Sequence, residues 1–299
     1  MYIGYMFESL KKITFVIILC FGFSYSQSLR FDGTNDDVTL TRMNFNDSDG
    51  FTLSVWVKKK TGLPSGNNYE SIIRQDLNGN PDLMLQFAKN DKLSLGFNSA
   101  LAAYSELDVD ISSSDYIDTW VHLAVRYDVS TSVIYLYVNG SQVGSNNNHS
   151  GVGPSATNNY NLHIGNSPHG SGSEFLDGEI DEVAIWNETL TTAEITALYN
   201  SGKSLAANEN SGNYASAANL QGYWNMNEGT GSSLKDVSTN SNNGTITGAT
   251  WSSSSSMDSP RITITATDGS NAVADGATTN DATLALTFTS NKATSNFAV

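Results

Sequence analysis

Residues 51–58 (FTLSVWVK) alternate, with Phe51, Leu53, Val55 and Val57 on one side of an extended chain and Thr52, Ser54 and Trp56 on the other. A period of two predicts a strand with one face against a core. Similar short runs recur at residues 71–74, 83–87, 92–97, 120–127, 132–138, 161–164 and 178–186, with Gly, Asn, Ser and Asp crowding the gaps. Asn139-Gly140 stands between two of them, and both residues tolerate the left-handed backbone that a two-residue hairpin demands. One segment breaks the period. Thr191 and Glu194 make a capping box, Ile195, Leu198 and Tyr199 follow at helical spacing, and Gly202 ends the run. Many short strands and one short helix predict an all-β, antiparallel sandwich with the helix covering one end.

Charge and length narrow the picture. The 299 residues allow one full sandwich and something smaller, and only 15% of them are charged. Lys11 and Lys12 precede the apolar run 13–23, with small residues at Ser24 and Ser26. This is the layout of a secretory signal, too short to span a bilayer, with cleavage expected after Ser26. A secreted or cell-surface protein is expected, with no membrane span once the leader is removed. The leader takes Lys11, Lys12, Glu8 and the single cysteine, Cys20, with it, so the formal charge moves from -15 to -16 and no disulfide can form. So acidic a surface repels phosphate backbones, which excludes nucleic acid as a partner. It also suits hard cations.

Several segments now fall in a recognisable order: residues 29–38 (LRFDGTNDDV), 51–58, 120–128 (WVHLAVRYD), 134–143 (IYLYVNGSQV), 161–165 (NLHIG), 175–186 (FLDGEIDEVAIW) and 190–200 (LTTAEITALYN). Together they resemble the laminin-G-like, concanavalin A-like jelly-roll domains of bacterial secreted proteins, over about residues 27–201. Residues 202–258 hold GYWNMNEGTG and NNGTITGATW, read as a closing strand segment, then a Ser-rich linker. Residues 259–299 alternate as strands around a Gly/Asn-rich turn. They resemble the opening of a bacterial immunoglobulin-like repeat, as in surface adhesins, and are too few to complete one.

Catalysis finds no foothold. Some glycoside hydrolases on this sandwich carry a Glu-x-Asp-x-(x)-Glu run, with the working carboxyls about 5 Å apart. In GEIDEVA, Glu179 and Asp181 share a strand face, but strict alternation puts Val183 and Ile185 next on that face and turns Glu182 away. None of His122, His149, His163 and His169 lies near a nucleophile elbow. His122 and His163 fall inside strands and read as structural. In the wider superfamily a structural calcium is held by an early-strand acid, a carbonyl before the second strand and a late-strand aspartate. The resemblance places these ligands at Asp32, at Asp49 or Gly50, and at Asp181. The competing reading has Asp32 capping a turn and Asp181 paired with a base such as Arg126. Sugar-binding sandwiches stack aromatics on pyranose faces, which makes Tyr69, Arg74, Tyr104 and Tyr160 candidates for ligand contact. Trp56, Trp120 and Trp186 are assigned to the core. The expectation is a non-catalytic module for a glycan or an extracellular surface protein. The alternatives are a structural spacer, or an accessory domain of a polysaccharide-degrading enzyme.

Overall fold

The computed structural model describes residues 27–43, 45, 50–64, 69–76, 82–97, 105–146, 160–168, 174–256, 262–268, 271–273 and 285–290. In chain order the first strands are β1 (Ser28–Asp32), β2 (Asp37–Leu40), β3 (Phe51–Lys59), β4 (Tyr69–Gln75), β5 (Leu83–Ala88), β6 (Lys92–Phe97) and β7 (Ser105–Asp110). A single turn of helix, α1 (Ser113–Tyr116), leads to β8 (Val121–Asp128), β9 (Val133–Val138), β10 (Ser141–Asn146), β11 (Leu162–Ile164) and β12 (Asp177–Trp186). After α2 (Thr192–Tyr199) come β13 (Leu220–Trp224), β14 (Ser233–Leu234), β15 (Gly244–Thr247) and β16 (Thr250–Ser252).

These elements form two eight-stranded antiparallel sheets. Sheet A runs β10-β9-β8-β3-β12-β1-β16, with β13 on the same edge of β12 as β1 but further along it. Sheet B runs β14-β15-β2-β11-β4-β5-β6-β7. The chain crosses between sheets repeatedly, which is the jelly-roll arrangement. Residues 220–252 supply strands to both sheets. A separate three-stranded antiparallel sheet holds β17 (Ile262–Asp268), β18 (Asn271–Val273) and β19 (Ala285–Ser290).

The alternation read from β3 is realised. Phe51, Leu53, Val55 and Val57 are fully buried between the sheets against Leu123, Val125, Leu85 and Phe87. Each such side chain contributes roughly 1.5–3 kcal/mol of transfer free energy. Asn139 and Gly140 sit at φ +50° and +73°, the left-handed pair that turns β9 into β10. The Thr191–Glu194 capping box forms in both directions, and Asn200 in the left-handed conformation ends α2 before Gly202 is reached.

The helix covers a face, not an end. Ile195 and Leu198 pack with Ala124, Tyr137, Ala184, Trp186, Tyr214 and Tyr223 in a second apolar layer on the outer side of sheet A. Trp186 and Trp56 are therefore buried outside the inter-sheet core. Trp120 is half-buried, with the Lys58 ammonium 5.1 Å from its ring.

Candidate functional site

The acidic strand β12 departs from strict alternation. Asp181 pairs with Trp56 and Ala184 with Ser54, so two residues of β12 oppose the single Val55. Glu182 takes φ +52° to make this bulge. Val183 and Ile185 consequently join Ile180 in the inter-sheet core, while Ala184 and Trp186 face outward. Glu182 does not turn away from Asp181, as alternation had it. Both carboxyls lie on the covered outer side, where Tyr223 Oη donates to Glu182 Oε2.

Asp181 is fully buried and is the anchor of the Ser-rich segment. Its Oδ2 accepts Ser255 Oγ at 2.9 Å, Ser256 N at 2.8 Å and Ser256 Oγ at 2.9 Å. Its Oδ1 accepts Glu182 N at 2.9 Å. Burial pushes the Asp181 carboxyl up to about 7 against the pull of these donors. Burial and then the adjacent Asp181 charge raise Glu182 well above its ordinary range. Nearby, His122 is buried with Nε2 2.8 Å from Ser54 Oγ, and burial lowers its pKa to about 3. Its Nδ1 has no hydrogen-bond partner among the described residues.

The expected calcium ligands are not brought together. Asp32 pairs with Asp177 across β1 and β12, four residues and about 13 Å along the strand from Asp181. Gly50 precedes β3 at the Trp186 end of β12, about 30 Å from Asp177. Asp49 lies outside the described residues. One coordination shell spans only a few ångströms, so Asp32, Gly50 and Asp181 cannot share an ion. Each has a local role instead. Asp32 Oδ1 accepts Thr34 N at 2.9 Å around Gly33, and Gly50 needs its φ of +81°. Asp181 binds the Ser-rich segment, and Arg126 goes to the Leu190 carbonyl at 3.0 Å.

The outer face of sheet B carries the other polar constellation. Register aligns Thr39, His163, Arg74 and Met84 across β2, β11, β4 and β5. The neighbouring row aligns Ser71, Gln86, Ser94 and Asp108 across β4 to β7. His163 Nδ1 lies 3.0 Å from Asp37 Oδ1, both half-buried. Arg74 is held by Asp76 Oδ2 at 3.1 and 2.7 Å and by Glu174 Oε2 at 2.7 Å. Ser71 Oγ, Asp76 Oδ1 and Gln86 Oε1 are buried and hydrogen-bond to nothing among the described residues. Of the expected ligand residues, Tyr69 shares β4 with Arg74 but lies about 15 Å along it. Tyr160 precedes β11 at the Arg74 end of the strand pair, half-buried. Tyr104, His149 and His169 lie outside the described residues. Ser71 and Gln86 become visible only through the pairing, because a second bulge, between Ser71 and Ile73, resets the phase of β4.

Two antiparallel sheets in jelly-roll order, with polar side chains on an outer face, define a lectin-like sandwich. The model of the concanavalin A-like lectin/glucanases superfamily, laminin G type, matches residues 32–196. The chain belongs to that family. Among solved structures it is similar to a candidate carbohydrate binding protein from Bacteroides ovatus, at 17% identity and TM-score 0.58, covering 79% of this chain and 61% of that one. More distant are a heptameric pentraxin from Limulus polyphemus (18%, TM-score 0.43, 59% of this chain and 82% of that one) and the sialidase CBM40 of Ruminococcus gnavus bound to α2,3-sialyllactose (15%, TM-score 0.42, 50% and 83%). At these identities the likeness is one of fold. No curated protein matches the sequence.

Proposed function

We propose that the chain is a non-catalytic, extracellular carbohydrate-binding module whose ligand meets the outer face of sheet B. The carrying observation is the set of three buried oxygens on that face, Ser71 Oγ, Asp76 Oδ1 and Gln86 Oε1, that receive no donor among the described residues. A buried acceptor without a donor costs about 1–3 kcal/mol. A sugar, dense in hydroxyl donors, relieves that cost and gains orientation from it once it displaces what covers these buried side chains. Half-buried Thr39 and His163 give the solvent side of the same face, and Arg74 fixes its floor. The Arg74 charge is already met by Asp76 and Glu174, and Asp37 and Asp108 add further negative charge, so an uncharged glycan suits the face better than an acidic one. The B. ovatus protein, whose fold is shared, is itself a candidate carbohydrate binder. The burial of Asp181 and Glu182 supports the non-catalytic reading, because the two adjacent carboxyls of the β12 bulge are withdrawn from solvent. An adhesin-like role, with residues 259–299 opening an immunoglobulin-like stalk, extends the same reading.

The test is a glycan-array screen of the full chain and of Gln86→Leu and His163→Ala variants. Selective binding that weakens at least tenfold in these variants, with melting unchanged, supports the proposal. A blank array overturns it and favours the spacer reading.

A further inference from the structure

A second polar site lies away from sheet B's outer face, at the end of the sandwich where β2 and β12 leave their sheets. An open cleft of about 640 Å³ is bounded there by Arg42 and Met43, by Asn187, by residues 218–221 and by the turn 239–242. Ligand pockets commonly occupy about 300–1,000 Å³. Four of the ten lining residues are asparagines, joined by Gln221 and Thr239, and Arg42 is the one charged residue among them. Seven of the ten lining residues come from residues 218–242, beyond the 32–196 span of the family match.

The walls are held in place before any ligand arrives. The buried Asp236 carboxylate accepts Tyr223 N at 3.0 Å, Ser238 N at 2.8 Å and Asn242 N at 2.8 Å, which winds the 236–242 turn around one side chain. Asn240 Nδ2 donates to the Leu220 carbonyl at 2.6 Å and Asn242 Nδ2 to the Gln221 carbonyl at 2.7 Å. Trp224 Nε1, from the core, donates to the Asn242 carbonyl at 3.0 Å. Asn187 N donates to the Asn219 carbonyl at 3.0 Å, which ties the exit of β12 to the same wall. These bonds occupy one N–H of each of the Asn240 and Asn242 amides and fix their orientation. The Asn187 carboxamide, the Thr239 hydroxyl and Asn240 Oδ1 are left without a partner in the described structure, and all three residues are exposed.

We infer that this cleft is a second saccharide site, one that takes the end of an uncharged, polyhydroxylated chain. Carboxamides and a hydroxyl offer both donors and acceptors to sugar hydroxyls, and a preformed wall saves the ordering entropy that a loose loop would spend on binding. A lining with one cation and no carboxylate neither demands nor rewards an anionic ligand. No aromatic side chain among the described residues lines the cleft, so selectivity comes from hydrogen bonds, which discriminate stereochemistry sharply when the partner groups would otherwise stay unpaired.

The site shares no residue with the outer face of sheet B, so the two readings fail separately. The full chain is titrated with neutral gluco-, xylo- and galacto-oligosaccharides and with sialylated and uronate-containing ones. The comparison set is the double variant Asn187→Ala/Thr239→Ala, a plugged variant Thr239→Trp, and Gln86→Leu. Neither Asn187 nor Thr239 uses its side chain within the fold, so melting should be unchanged. The expected result is binding of a neutral oligosaccharide that weakens at least tenfold in both cleft variants. Binding that survives in both cleft variants but is lost in Gln86→Leu overturns this inference and leaves the sheet B reading standing. Binding confined to acidic glycans, or none to any oligosaccharide, also overturns it.

Discussion

The substitution Asp181→Asn isolates the energetics of the β12 anchor. The variant keeps an oxygen for the Ser255 and Ser256 donors and removes the titration. In the folded protein the Asp181 carboxyl holds its proton up to about pH 7, whereas an unfolded aspartate releases it near 3.8. Stability from this difference is complete below about 3.8 and is lost as pH rises through 7. At about 1.4 kcal/mol per unit, the wild type gives up about 3 kcal/mol from this group between about pH 5 and pH 8.5. Glu182, also raised, adds in the same direction. His122 works against it. Its folded pKa of about 3 lies below the ordinary value of 6.5, so the stability from keeping it neutral is present above 6.5 and lost as pH falls. The two slopes oppose each other in the wild-type profile, and the variant-minus-wild-type difference removes the shared His122 contribution. Any fixed cost of an amide beside Glu182 N is common to all pH values. Urea denaturation of both proteins should show Asp181→Asn gaining about 3 kcal/mol on the wild type from about pH 5 to pH 8.5. A pH-independent difference would refute the argument. So would a chelator-sensitive wild-type melt that Asp181→Asn renders insensitive, since that is the behaviour of a metal ligand.

Two further outcomes follow from packing. Trp224→Ala empties a fully buried site between the sheets and frees the Asn242 carbonyl, so thermal melting should report a loss of about 3–5 kcal/mol; an unchanged melt would mean that β13 is not integral to the sandwich. Gly50→Ala places a Cβ on Thr189 Oγ1 and the Tyr127 carbonyl at φ +81°, and should cost about 1–3 kcal/mol whether or not calcium is present; rescue by added calcium would show that a metal had been lost.

Much of the sandwich is legible along the chain because its signals are local. The β3 alternation, the Asn139-Gly140 turn and the Thr191–Glu194 box each involve residues within a few positions, and each forms. The candidate site is less legible. Alternation puts Glu182 opposite Asp181, and one extra residue in the ladder reverses that. The expected ligand set of Asp32, Gly50 and Asp181 is not brought together for a similar reason. Residue type and chain order match a ligand set, but register sets Asp32 and Gly50 at opposite ends of β12. Arg74 stands out by charge, whereas Ser71 and Gln86 are unremarkable until β4 and β5 lie side by side.

The sequence by itself determined that this chain is all-β, which faces of most strands are apolar, where the main hairpin and helix begin, and that its surface is acidic. Those properties follow from side-chain period, backbone tolerance and formal charge, which act over a turn or a strand. The tertiary structure alone decided that Asp181 would clasp serines 74 and 75 positions away, that residues 220–252 would complete both sheets, and that amides from three distant segments would line one cleft. Those outcomes depend on which strands pair and where a bulge falls, and the energy that selects them is the burial of the whole core.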